Sequence, residues 1–296
     1  MSGKLFQDGP TKAEPILSKY APTIQQEIID KLLATRPYLS VVPIGSVGKK
    51  HDDDYNGDID IAVGIQTIKQ LQYIIVDTFA GNETVTNKSY RIVSMKYPYT
   101  IEGKTRYVAV DFMLMCNEQY TKFRYYCPDY RKNESRYKVG TKLMLIDTIL
   151  NHCDAPLDLE PGYKYKYVYD PMYLYINYWD QENHCSFDRK VTENPQDVVD
   201  IMFKDCGLQV CNSVETIWTA LHSDKFRYPN RVKDIEMAFF INSYKKGWGQ
   251  AVKPEELQCQ YWTVQQIYDA YKPYEILRNI NKILVELQHD FKNIQK

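Results

Sequence analysis

Several features are missing from this 296-residue sequence, and each absence removes a class of function. The seven cysteines (Cys116, Cys127, Cys153, Cys185, Cys206, Cys211, Cys259) form no Cys-x-x-Cys pair. The five histidines (His51, His152, His184, His222, His289) form no cluster, so no zinc-ligand spacing is present. An odd, unpatterned set of thiols reads as reduced and intracellular. No Ser-His-Asp or Cys-His arrangement is readable from spacing. No run of about 18 apolar residues occurs, which predicts no membrane span. The opening "MSGKLFQDGPTKAEP" lacks an apolar core, so no signal peptide is expected and the cytoplasm is the expected compartment. Net charge is −1, too small for a global field that attracts nucleic acid, so any anion-binding surface has to be a local patch. Repeats and low-complexity linkers are absent.

What is present describes a globular protein, with 44% hydrophobic and 25% charged residues. The 26 tyrosines, against 10 Phe and 4 Trp, are the outlying number. Tyrosine carries an apolar body and a polar tip, suited to half-buried faces and to stacking; AT-rich codons would also enrich it.

Residues 1–12 read as a loose leader, and 14–37 as two helices broken near Pro22. "YLSVVPIGS" (38–46) is a short β-run ending in Gly-Ser. "DIDIAVGI" (58–65) alternates Asp58 and Asp60 against Ile59, Ile61 and Val63, a strand with one apolar face. A helix follows over 68–81, closed by a glycine cap. Two β-rich runs flank "EGK" (102–104), a hairpin turn. Residues 137–153 predict a helix. Tyr163, Tyr165, Tyr167 and Tyr169 alternate in a hairpin over 162–179, and a packed sheet face is favoured there over a stacking platform. From 196 onward the pattern is mostly helical, ending in an amphipathic stripe through Ile276, Leu277, Ile280, Ile283, Leu284, Leu287 and Phe291. The expected class is therefore α/β (α+β): a mixed-sheet head with helices on one side and a mostly helical C-terminal half. The expected division is a helical lead-in (1–35), a head (36–155) and a Tyr-rich hairpin with helices (156–296).

The chemistry concentrates around "PIGSVGKKHDDDYNGDIDIAV" (43–63). Asp58 and Asp60 are two apart on a strand, so both carboxylates point the same way and repel unless a cation lies between them. A hard divalent ion such as Mg²⁺ takes oxygen ligands and keeps positions open for phosphate. Asp111, in "YVAVDFMLM", is the candidate third ligand: Val108, Val110, Phe112 and Leu114 take one face, leaving Asp111 on the other with Tyr107, Ala109 and Met113. A carboxylate in so apolar a strand needs a partner. Gly45 lets the backbone approach a phosphate, Ser46 offers a hydroxyl, and Gly48, Lys49 and Lys50 extend a triphosphate cradle. Asp52, Asp53 and Asp54 run the other way, placing negative charge where such a pocket avoids it. Three acids, two metal ions and a triphosphate make in-line phosphoryl or nucleotidyl transfer the natural chemistry.

Gly45-Ser46, Asp58-Ile59-Asp60 and a later strand Asp111 together resemble the DNA polymerase β-type nucleotidyltransferase superfamily, over about residues 36–116. The resemblance implies that Asp58 and Asp60 bind both metal ions (Mg²⁺, with Mn²⁺ as substitute), that Asp111 binds the ion activating the acceptor, and that Ser46 holds the terminal phosphates of an NTP. "NESRYKVGTKLMLIDTILN" and "NPQDVVDIMFKD…NSVETIW" are similar to bacteriophage proteins with this same head, which would place the protein in a host cytoplasm.

Residues 122–142 carry seven basic and two acidic side chains interleaved with Tyr125, Tyr126, Tyr130 and Tyr137. That composition suits either a nucleotide or nucleic-acid path or a solvated surface loop. Ser135, Lys138 and Lys142 are its candidate nucleotide contacts. The expected reaction moves an NMP from an NTP to an acceptor hydroxyl, with an RNA or tRNA 3′ end as first choice. A cyclic-oligonucleotide synthase, a protein nucleotidyltransferase and a non-catalytic phage-type nucleotide- or protein-binding factor are the competing readings.

Overall fold

The computed structural model describes residues 6, 12–88, 91–155, 164–180, 184–246, 252–259 and 261–275. The amphipathic stripe from Ile276 onward lies outside them.

The chain begins with a two-residue strand β1 (Ile16–Leu17) and one helix, α1 (Ala21–Thr35). The expected break near Pro22 does not occur. Pro22 sits in the first turn of α1, where its fixed φ suits the helix and its missing N–H costs nothing. Phe6, in the expected loose leader, is buried against Ala13 and Ala109.

Five strands make the head: β2 (Val41–Ile44), β4 (Ile59–Val63), β5 (Thr84–Asn87), β6 (Ile92–Ile101) and β7 (Lys104–Leu114), while β3 (Tyr55–Asn56) pairs with β1 instead. Their order is β2-β4-β7-β6-β5, with β4 and β7 parallel and the other pairs antiparallel. The β6–β7 hairpin turns at Glu102 and Gly103, whose φ of 53° and 71° belong to the two-residue turn that matches strand twist. Edge strand β5 is too short and polar to be read from periodicity.

Helix α2 (Ile68–Thr78) starts at Thr67, whose side chain accepts the Gln70 N–H. It stops at Thr78, so Gly81 (φ 90°) belongs to the following turn rather than capping the helix. The apolar sides of α1 and α2 bury Ile28, Leu32, Leu71 and Ile75 against Ile59, Ile61, Val110 and Phe112. That leaves Asp60, Ala62 and Asp111 on the opposite face.

The remaining helices are α3 (Glu118–Arg124), α4 (Val139–Leu150), α5 (Pro195–Met202), α6 (Val214–Leu221), α7 (Val232–Lys246) and α8 (264–275). With them comes an antiparallel sheet ordered β10-β9-β8: β8 (Lys164–Tyr169), β9 (Leu174–Asp180) and β10 (Cys185–Thr192). The hairpin was legible; its third strand was not. These elements share a second core, to which Tyr120, Phe123, Leu145, Ile149, Tyr167 and Phe239 contribute. Among the described residues no helix is long and apolar enough to cross a membrane.

Candidate metal centre and its neighbouring glycine loop

Parallel pairing of β4 with β7 sets Asp60 directly beside Asp111, and Asp58 ends the loop that enters β4. The three carboxylates converge: one oxygen from each lies within 4.8 Å of the others. Like charges so close cannot all ionise cheaply without a cation. Burial, then the facing Asp58 and Asp111 carboxylates, push the Asp60 carboxyl well above the usual range. An all-oxygen donor set that resists full ionisation in the bare protein fits a hard divalent ion, with Asp58, Asp60 and Asp111 as the residues that would hold it.

Two of these acids are fixed by neighbours that sequence reasoning missed. The Ser94 hydroxyl, buried on β6 opposite Asp111, donates to Asp111 Oδ1 at 2.5 Å. Gln25 of α1 reaches across to donate to the Asp60 carbonyl at 3.0 Å. Cross-strand register put Ser94 there, and no local motif marks it.

Gly45 has φ 79°, and a Cβ built on it would lie 2.2 Å from Asp60 Oδ2 and 3.0 Å from Asp60 Cβ. Only glycine lets the loop touch the cage here. Gly48 shares the left-handed conformation (φ 72°) but faces open space. The Ser46 hydroxyl donates to Asn56 Oδ1 at 2.9 Å, and the fully buried Asn56 amide donates to Ser18 Oγ at 2.9 Å. Through this relay and the β1–β3 pairing, the N-terminal segment holds the loop. Main-chain bonds from Ser18 to the Asp54 carbonyl and from Lys19 to the Asp52 carbonyl add to it. Asp52, Asp53 and Asp54 are exposed, as is His51.

The basic segment divides. The Tyr130 N–H donates to the Lys49 carbonyl at 2.9 Å, which ties the cradle loop to the turn at Tyr130–Lys132. Burial and the nearby Lys138 ammonium lower the pKa of Lys50, against the pull of Cys127, Asp58 and Asp54. Lys50 and the exposed Lys138 therefore lie near each other, with Lys50 within electrostatic reach of Asp58.

Lys142 is different. It is buried, donating to the carbonyls of Tyr126 (2.9 Å) and Phe123 (3.3 Å), and burial pulls its pKa down to about 8. Ser135 is buried and donates to Glu215 Oε2 at 2.7 Å. The segment that composition left open between a nucleotide path and a solvated loop is thus partly interior: Tyr137 packs into the second core, and Lys142 is buried on two carbonyls. An open groove of about 490 Å³, lined by Gln119, Lys122, Phe123, Tyr126 and Leu208 among others, includes none of the three acids.

No protein-family model matches this chain, and a search of curated proteins returns no match.

Proposed function

We propose that the protein is a metal-dependent nucleotidyltransferase that moves a nucleoside monophosphate from an NTP to an acceptor hydroxyl and releases pyrophosphate. The observation that carries this reading is the convergence of Asp58, Asp60 and Asp111 within 4.8 Å, beside a loop whose Gly45 has no room for a Cβ. When bound, the metal ions supply Lewis-acid activation of the acceptor oxygen and neutralise charge on the leaving phosphates.

The chain's own part is positioning. Ser94 holds the Asp111 carboxylate, and Gln25 holds the backbone at Asp60. The positive φ of Gly45 (79°) and of Gly48 (72°) is the backbone state from which a loop can present N–H groups to phosphate oxygens. To donate to an anion there, the Ser46 hydroxyl gives up its bond to Asn56. Lys49, Lys50 and Lys138 supply positive charge on the loop side of the cage, Lys138 from the N-cap of α4. An RNA 3′ end is the acceptor we favour.

The test is pyrophosphate release from each α-labelled NTP with Mg²⁺, with and without total RNA, for wild type and Asp60→Asn. Label entering RNA in wild type, reduced at least 10²-fold in Asp60→Asn, is the expected result. Near-full turnover in Asp60→Asn refutes the metal cage.

A further inference from the structure

The two faces of the β8–β9–β10 sheet differ in kind. Tyr165, Tyr167, Tyr169, Leu174 and Ile176 turn inward onto the second core. The alternate residues turn outward, and the register aligns them in rows: Lys164 beside Trp179, Lys166 beside Asn177 and Asp188, Val168 beside Tyr175 and Lys190. Lys164, Lys166 and Lys190 are exposed, and Trp179 is 39% exposed. Tyr173 marks the head end of the strip, half-buried against the head's core, its ring 6.0 Å from that of Tyr175 and the Lys190 ammonium 5.5 Å above it. Among the described residues three acids lie at this face: Asp188 bonded to the Asn177 amide, Glu193 paired with Lys190, and Asp170, which pairs with Arg91 and lies within electrostatic reach of Tyr175.

Rings spaced along a strand, lysines between them and an amide with donor and acceptor edges make a surface suited to single-stranded nucleic acid. The rings offer stacking faces to bases, and the ammonium groups meet the backbone phosphates. A lipid surface would need a larger apolar patch, and an acidic peptide has no use for the rings. The strip is also joined to the head. Arg91, at the start of β6, pairs with Asp170 in the β8–β9 turn at 3.0 Å, and the Cys116 thiol donates to the Met172 carbonyl. Cys116 lies five residues beyond Asp111, roughly 17 Å of extended chain. The near end of the strip is thus fastened to the strand that carries the third acid.

We infer that the outer face of β8–β9–β10, through Trp179, Tyr175, Tyr173, Lys164, Lys166 and Lys190, binds single-stranded RNA. The choice of RNA over other single strands rests on the transfer reading above; the surface itself does not.

The experiment is fluorescence anisotropy of a labelled, unstructured 12-nucleotide RNA with the full chain, in EDTA and without NTP, so that the metal cage plays no part. Wild type is expected to bind with a marked salt dependence. Trp179→Ala should weaken binding roughly tenfold, by loss of one stacked base, while Trp179→Phe retains it. Lys164→Gln with Lys166→Gln should reduce the slope of log affinity against log salt by about 1.4. Tyr73→Ala, an exposed ring on α2, should change neither. Absence of RNA binding by wild type overturns the proposal. So does binding by Trp179→Ala within twofold of wild type, or a change in sedimentation without a change in RNA affinity, which would make the face a contact between copies. RNA binding without NTP turnover would fail the transfer reading and leave the platform standing; turnover with Trp179-independent binding would do the reverse.

Discussion

Gly45→Ala tests the contact between loop and cage more sharply than removal of any acid. The substitution has two separable costs. The first is backbone: φ is 79°, where a Cβ costs on the order of 1–2 kcal/mol. The second is the new methyl group, 2.2 Å from Asp60 Oδ2 and 3.0 Å from its Cβ and Cγ. Rotating the carboxylate relieves the first of these contacts but not the Cβ one, so Asp60 or the loop must move by several tenths of an ångström. A ligand displaced on the order of 1 Å costs about 10²-fold in rate. Gly48→Ala supplies the control, because Gly48 has φ 72° and nothing within 4 Å of a Cβ, so it bears the first cost alone. The assay pairs Mn²⁺ titration by calorimetry with thermal unfolding in EDTA. Both variants should lose similar stability, while Gly45→Ala alone loses metal affinity. Equal metal affinity in the two variants would refute the claim that the glycine exists to let the loop touch the cage.

Two further outcomes follow from neighbouring geometry. Ser94→Ala removes the buried donor to Asp111, and metal affinity or turnover should fall 10- to 100-fold while the fold persists by circular dichroism; unchanged affinity would make Ser94 a packing residue. In the second core, both His222 ring nitrogens face acceptors, the Trp218 carbonyl at 2.8 Å and Glu236 Oε1 at 2.7 Å. Burial opposes the imidazolium, but the Glu236 carboxylate and the carbonyl prevail and raise its pKa above the ordinary value of about 6.5. The pair's contribution is therefore complete below about pH 6.5 and is lost as pH rises through the higher folded value. Urea midpoints for His222→Gln should lack the decline that wild type shows over that window, and parallel profiles would remove His222 from this role.

Some of this was written locally. Asp58 and Asp60 share a face because a strand repeats every two residues, and the third acid stood out because Asp111 is a lone carboxylate in an apolar strand, on the face opposite Val108, Val110, Phe112 and Leu114. The turn chemistry at Glu102 and Gly103 was equally local, since the pair fits the short hairpin it forms. Pro22 misled because a proline that breaks a helix interior is harmless in a first turn, and only the chain's actual entry angle distinguishes the two.

The sequence by itself determined which side chains face which side of each strand, and so named the three acids and the glycine beside them. It could not determine which strands are neighbours. The parallel register that sets Asp60 against Asp111, the Ser94 hydroxyl that steadies Asp111, and the β10 strand that completes the Lys–Trp–Tyr face all join residues distant along the chain. The same holds for Lys142, polar by composition yet interior because the carbonyls of Phe123 and Tyr126 wait for it. Periodicity reports a residue's direction; its partner is chosen by the hydrogen-bond ladder and the packing of the whole, which only the tertiary structure supplies.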